Sequence, residues 1–359
     1  MFSMFTCCKK KAKNLTKPPV HILIPLYNAQ VYIVAALQSI FNQDYPNLKI
    51  FIYDDGSTDD SLNIVKDFFS TTALAAKKFK IHAEKSNRGV SHARTELINI
   101  SRADNPYAYT LWLDADDQML DKHFISKVIR QMLTTNADIC LYNFSIQFEH
   151  LDQQNNAEVL KQDKENVKDI LQSIHAQPNA VIDPIDMPTL MKFTSLGWTK
   201  CYAPTINLPI PAECPFEDFV YMAALLFANR ITALAPNEQP ILYLRRSTSI
   251  CGQRSHENFA THIPLQLSEF FNVVLKEVDG QVQQLVKLKM AQQFVINKLS
   301  QYENMLVKFV EDKSFADISM HTMTSFLHQR VTLINVMNAQ IDKLDASLIA
   351  QSPSLVFSH

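Results

Sequence analysis

The stretch "LWLDADDQML" (111–120) sets Asp114, Asp116 and Asp117 almost on top of one another behind an apolar run. Like charges this close repel, and none of them is cheap to bury. A hard divalent cation suits such a group. Mg²⁺ and Mn²⁺ take carboxylate oxygens and keep positions open for phosphate. An Asp-Ala-Asp on its own is most often a solvated loop. Here "YTLWL" reads as a buried strand, so the carboxylates, with Ala115 between them, belong at the rim of a sheet.

Two more clusters precede it. "YDDGSTDD" (53–60) holds Asp54, Asp55 and Gly56. It reads either as an acidic turn with glycine at positive φ or as a site for a nucleotide's base and ribose. "NRGVSHAR" (87–94) places Asn87 and Gly89 where a loop enters a helix, with Arg94 further in. Helix N-termini and arginine both favour phosphate. The chain has only 5 glycines in 359 residues. A chain this poor in glycine keeps it where the backbone needs positive φ or a close approach.

These clusters need elements to hold them. "VHILIPLY" (20–27) reads as a strand, and "AQVYIVAALQSIFNQ" (29–43) has helical spacing. "LKIFIYDDGSTDDS" (48–61) is a second strand running into a turn, with Asp59, Asp60 or Ser61 available to cap the next helix. "KFKIHAE" (78–84) is a third strand, the segment 85–101 a loop becoming a helix, and "YAYTLWLDADD" (107–117) a fourth strand. This alternation predicts a parallel sheet with crossover helices. Ligands of such sheets bind beyond the carboxyl ends of the strands. Asn28, the Asp54–Asp55 pair and the Asp114–Asp117 group should therefore share one rim. Further on, "DICLYNFSIQF" (138–148) reads as one strand, 215–229 as a helix, and 231–250 as two short strands with a polar loop. From about 255 onward the apolar spacing is helical.

Composition narrows the class. A net charge of -2 does not point to nucleic acid. The 6 cysteines show neither zinc-type pairs nor a disulfide framework, which suits a reducing cytoplasm. No apolar run reaches the roughly 18–20 residues of a membrane span. Lys9, Lys10, Lys11, Lys13 and Lys17 crowd the first nineteen residues. That segment reads as a disordered tail, or as an electrostatic contact with an anionic membrane surface.

The three clusters, in this order and spacing, resemble the family 2 glycosyltransferases, which have the GT-A fold. The likeness starts at "ILIPLYNAQVYIVAALQSIFNQDYPNLKIFIYDDGSTDDS", with its Pro-x-Tyr-Asn, and runs through Asn-x-Gly and Ala-Arg to Asp-x-Asp. It covers about 20–117. The second half is similar to a subset that builds bacterial surface polysaccharides (capsule or lipooligosaccharide). "GWTKCY" (197–202) looks like that subset's Trp-Asn-Lys-x-Tyr, with Thr199 in the Asn place. "PFEDFVYMAAL" carries a Glu-Asp pair, though only Phe216 stands directly before it. "LYLRRSTSI" (242–250) looks like an Arg-containing loop of the same subset.

The resemblance implies a GT-A domain over 20–254, its half 20–117 binding the nucleotide-sugar and 118–254 the acceptor. Residues 1–19 are then a basic tail and 255–359 a helical extension. It implies that Pro25, Tyr27, Asn28, Asp54, Asp55, Asn87, Gly89, Arg94, Asp114, Ala115 and Asp116 bind the nucleotide-sugar. Asp116, with Asp114, would hold Mn²⁺ or Mg²⁺. Asp218 would be the general base, with Glu217 beside it. Asp117, Trp198, Lys200 and Arg246 would touch the donor sugar, acceptor or phosphate. Trp198 reads equally as core, and the lone His256 as structural or as an occasional metal contact.

The expected reaction is inverting transfer of a sugar, UDP-hexose or UDP-N-acetylhexosamine by family habit, to a hydroxyl of a glycan or lipid-linked acceptor. The expected setting is cytoplasmic, with peripheral contact at the inner face of the membrane, and the tail helices could support self-association. Two other classes stay open. One is a non-catalytic nucleotide-sugar-binding module. The other is a phosphatase of the haloacid dehalogenase type, which needs its Asp-x-Asp near the first strand.

Overall fold

The computed structural model describes residues 17–71, 79–149, 200–206, 223–224, 226–228, 230–235, 238–246, 256–278, 282–311 and 320–351. Its elements are numbered among these residues. The first half alternates as expected: β1 (Val20–Leu26), α1 (Ile33–Phe41), β2 (Leu48–Asp54), α2 (Ser61–Thr71), β3 (Phe79–Ala83), α3 (Val90–Asp104), β4 (Tyr109–Trp112), β5 (Gln118–Met119) and α4 (Phe124–Thr135). Then come β6 (Ile139–Leu141), β7 (Phe144–Glu149), β8 (Lys200–Tyr202), β9 (Ile231–Ala233) and β10 (Ile241–Arg246). Three long helices follow: α5 (His256–Glu277), α6 (Val282–Glu311) and α7 (Met320–Gln351).

The main sheet has the order β3-β2-β1-β4-β8-β6-β9. β1 pairs in parallel with β2 and β4, and β2 with β3. β8 is antiparallel to both of its neighbours. A small second sheet, β5-β10-β7, stands apart from it. The single strand expected over 138–148 is in fact two. The chain leaves the main sheet after Leu141 and enters the small sheet at Phe144. Asn143 Oδ1 accepts the Phe144 N–H at the change of sheet, a local side-chain bond of the kind that competes with a strand ladder.

The period-2 alternation of strands divides the core by face. Val20, Ile22, Ile24, Ile50, Ile52 and Leu111 pack with α1, α2 and α4. Leu23, Phe51, Tyr53 and Trp112 turn the other way, toward α3. Ala260, Ile263 and Leu267 of α5 belong to that same apolar cluster, as do Leu288 and Phe294 of α6 and Met337 of α7. The C-terminal helices pack on one another and share a core with the second face of the sheet. No helix among the described residues is long and apolar enough to cross a membrane.

Candidate nucleotide-sugar site

Register alone brings the polar clusters together. Leu26 stands opposite Asp54 across β1–β2, and Leu23 opposite Trp112 across β1–β4. Tyr27–Asn28, Asp54–Asp55 and Asp114 therefore leave the sheet at one rim. Pro25 lies within β1 opposite Tyr53, and Tyr27 is 46% exposed beyond it.

The first two loops are laced to each other. Asn28 adopts φ 46, a left-handed conformation that asparagine tolerates. Its Oδ1 accepts the Thr58 N–H at 2.8 Å, and its own N–H donates to Ser57 Oγ at 3.0 Å. Asp54 Oδ1 accepts from the Ser57 hydroxyl. Asp59 takes the N–H groups of Gln30 and Ser61. Ser57, Asp59 and Ser61 thus shape the turn, a role the sequence reading gave only in part, as helix capping. The run "STDDS" beside "DDG" carried that signal.

Asp55 is buried and works across a longer gap. Its two oxygens accept the N–H groups of Arg88, at 3.0 Å, and Gly89, at 2.7 Å. Asn87 Oδ1 also accepts from Gly89 N–H. The carboxylate therefore holds the loop that opens α3, whose N-cap is Gly89 at φ 93. Gly56 sits in between, at φ 73. A Cβ there would come within 2.5 Å of the Ser86 carbonyl carbon. Only glycine lets these two loops touch.

Arg94, in the second turn of α3, is 4% exposed. It donates from Nη2 to Asp114 Oδ1 at 2.7 Å, with its guanidinium 5.8 Å from the Trp112 ring. Asp114 and Asp116 are half-buried, and Ala115 between them is buried. Asp117 is 7% exposed, and its Oδ1 accepts the Leu244 N–H of β10 at 3.1 Å. Its carboxyl is pushed well above the ordinary range, by burial first and then by the charges of Asp116 and Asp114. The Leu244 N–H and Arg94 pull the other way without cancelling this.

No group of three His, Cys, Asp or Glu side chains among the described residues is arranged to hold a metal alone. The donor set still fits Mg²⁺ or Mn²⁺. Such ions are held by one or two carboxylates together with substrate phosphate, and these two carboxylates raise the charging cost of a third.

The second-half candidates divide differently. Lys200 is 1% exposed at the start of β8, opposite Leu141. Arg246 ends β10 opposite Glu149. Asp218, Glu217 and Trp198 lie outside the described residues, and His256 opens α5.

Residues 21–192 match the model of glycosyl transferase family 2. The processive diacylglycerol beta-glycosyltransferase of Mycoplasma pneumoniae is 28% identical over 34% of this chain and 35% of its own length. EpsH of Bacillus subtilis, which carries a glycosyltransferase name, is 28% identical over 66% of this chain and 63% of its own. The chain thus spans less than two thirds of either relative. S. aureus TarS 1-349 in complex with UDP-GlcNAc superposes with a TM-score of 0.62 at 17% identity, over 92% of this chain and 88% of that one. The chain has the fold of TarS 1-349, GT-A, and its residues 21–192 match the model of glycosyl transferase family 2.

Proposed function

We propose that the chain moves a sugar from a nucleotide-diphosphate sugar to a hydroxyl of a glycan or lipid-linked acceptor, with inversion, in the building of a bacterial surface polysaccharide. One observation carries this reading. Asn28, the Asp54–Asp55 turn, the Gly89 entry to α3 and the Arg94–Asp114 pair meet at one strand rim. A rim with a helix N-terminus, an exposed tyrosine and a group of neighbouring carboxylates suits a nucleotide diphosphate with its cation. UDP is the favoured nucleotide, since TarS, of the same fold, has been captured with UDP-GlcNAc.

In this reading Tyr27 and the 54–57 turn receive base and ribose. Asp55 keeps the Arg88–Gly89 amides in place, and Arg94 orients Asp114. Asp116 and Asp114 would hold Mn²⁺ or Mg²⁺, which would supply positive charge for the leaving phosphate. Asp218, which precedes an apolar run in the sequence, takes the acceptor's proton. A base opposite the leaving group gives direct displacement, hence inversion. The chemistry belongs on the cytoplasmic side, where nucleotide-sugars are at hand, and the basic first residues support peripheral contact with the membrane there.

The test is a panel of nucleotide-sugars, assayed for transfer and for hydrolysis on the wild type and on Asp218→Asn. Asp218→Asn should cut turnover by roughly 10²–10⁴-fold while UDP binding stays near normal. A protein that binds UDP-sugars yet neither transfers nor hydrolyses any of them would be the non-catalytic module instead.

A further inference from the structure

β5 is only two residues long, and it pairs antiparallel with β10 through Met119 opposite Ile241 and Gln118 opposite Leu242. On one side of that pairing the backbone ladder continues, with the Leu120 N–H donating to the Pro240 carbonyl. On the other side the chain turns away at Asp117, where the Asp117 N–H donates to the Asp114 carbonyl at 3.0 Å. The next rung on β10 is the Leu244 N–H. A strand that had run on would have offered it a backbone carbonyl. Here the Asp117 carboxylate accepts it instead, at 3.1 Å. One side chain thus completes the edge of the small sheet, while its own backbone closes the aspartate turn.

We propose that Asp117 is a positioning residue: its carboxylate oxygen stands in for a missing rung of the β5–β10 ladder and so fixes the turn that carries Asp114 and Asp116. This rests on reading that turn as the donor site. It replaces the direct donor or acceptor contact expected of Asp117 from the family resemblance. The requirement is for an acceptor oxygen at that point, not for a charge. Asparagine supplies the same Oδ1, whereas alanine leaves the half-buried Leu244 N–H without that partner.

The test uses the full chain with UDP and Mn²⁺ as the probe, in three variants: Asp117→Asn, Asp117→Ala and Val128→Ala. The last is a buried α4 position that serves as a stability control. Asp117→Asn should hold UDP affinity within about twofold of wild type. Asp117→Ala should weaken it by about tenfold or more. Val128→Ala should lower the melting temperature without that loss. Amide exchange at Leu244 should quicken in Asp117→Ala and stay slow in Asp117→Asn. Loss of UDP affinity in Asp117→Asn equal to that in Asp117→Ala would make the charge itself a donor or metal ligand and overturn the proposal. So would unchanged exchange at Leu244 in Asp117→Ala, or in its place, should that variant not fold, fast exchange in Asp117→Asn. If wild type takes up no UDP with Mn²⁺, the donor-site reading fails, while the exchange data still decide whether the bracket exists.

Discussion

The sheet has carboxylates at both ends, and the protein treats them in opposite ways. At the amino end, Asp104 receives Lys80 at 2.9 Å and Lys49 closer still, with His21 Nε2 3.6 Å away. Burial works against its ionisation, but the two lysine hydrogen bonds outweigh that and hold its carboxyl below the ordinary range. At the carboxyl end, Arg94 pairs with Asp114, and the pull of that cation leaves Asp117 pushed upward. One acid is held ionised by the chain's own cations, and the other is held toward its neutral form by burial and by the carboxylates beside it. The second is the arrangement expected where a ligand brings a cation with it.

The largest effect that would break this contrast is expected from Asp116→Ala. Turnover measured with Mn²⁺ should fall by roughly 10²–10³-fold. A variant that keeps wild-type turnover would make the carboxyl-end group an ordinary acidic turn.

Gly56→Ala comes next. It adds a Cβ within 2.5 Å of backbone at a positive φ. Strain and overpacking together should cost about 4 kcal/mol of stability and loosen the Arg88–Gly89 loop. Urea denaturation beside a UDP titration would measure both.

The amino end gives a pH signature. Burial holds His21 at about 4 against an ordinary 6.5, with Asp104 opposing in part. As pH falls from 6.5 toward 4, the unfolded chain takes up a proton that folded His21 refuses. Stability should therefore drop over that window by on the order of 3 kcal/mol. His21→Gln should flatten this slope, and an unchanged slope would remove His21 as its source. Asp104 acts in a more acidic window. Its stabilisation is full above the ordinary 3.8 and is lost as pH falls through its lower folded value.

Lys80→Ala should do least. Lys80 is 44% exposed, so solvent screens its pairing, and about 0.5 kcal/mol is expected. UDP affinity should not move, because the residue sits at the other end of the sheet.

Much of the carboxyl end could be read in advance, because its residues lie in short contiguous runs just after strands. "DDG", "NRG" and "DADD" announce turns, and the period-2 runs before them announce the strands that align those turns. What escaped depended on partners far apart in the chain. The Leu244 N–H meets Asp117 across 127 positions, and nothing near either residue signals it. The Asp104 cluster draws on β1, β2, β3 and α3, and its members look like ordinary surface charges and a lone histidine. The strand over 138–148 was misread as continuous because both halves are apolar enough for a sheet. Lys200 was expected to touch phosphate or acceptor, by the family resemblance alone. Pairing of β8 between β4 and β6 buries it, which no local signal announced. The tail was legible as helical, but helical spacing does not reveal that α5 completes the core beneath Trp112 and Leu23.

The central claim is that the carboxyl rim is a nucleotide-diphosphate site completed by a divalent cation. The most direct measurement is a calorimetric titration of UDP into the full chain, in Mn²⁺ and again in excess chelator, repeated on Asp116→Ala. UDP should bind in Mn²⁺ and lose at least about tenfold in affinity when the cation is removed, a difference of about 1.4 kcal/mol. Asp116→Ala should bind weakly in both conditions. Equal affinity with and without the cation, unchanged by Asp116→Ala, would contradict the claim.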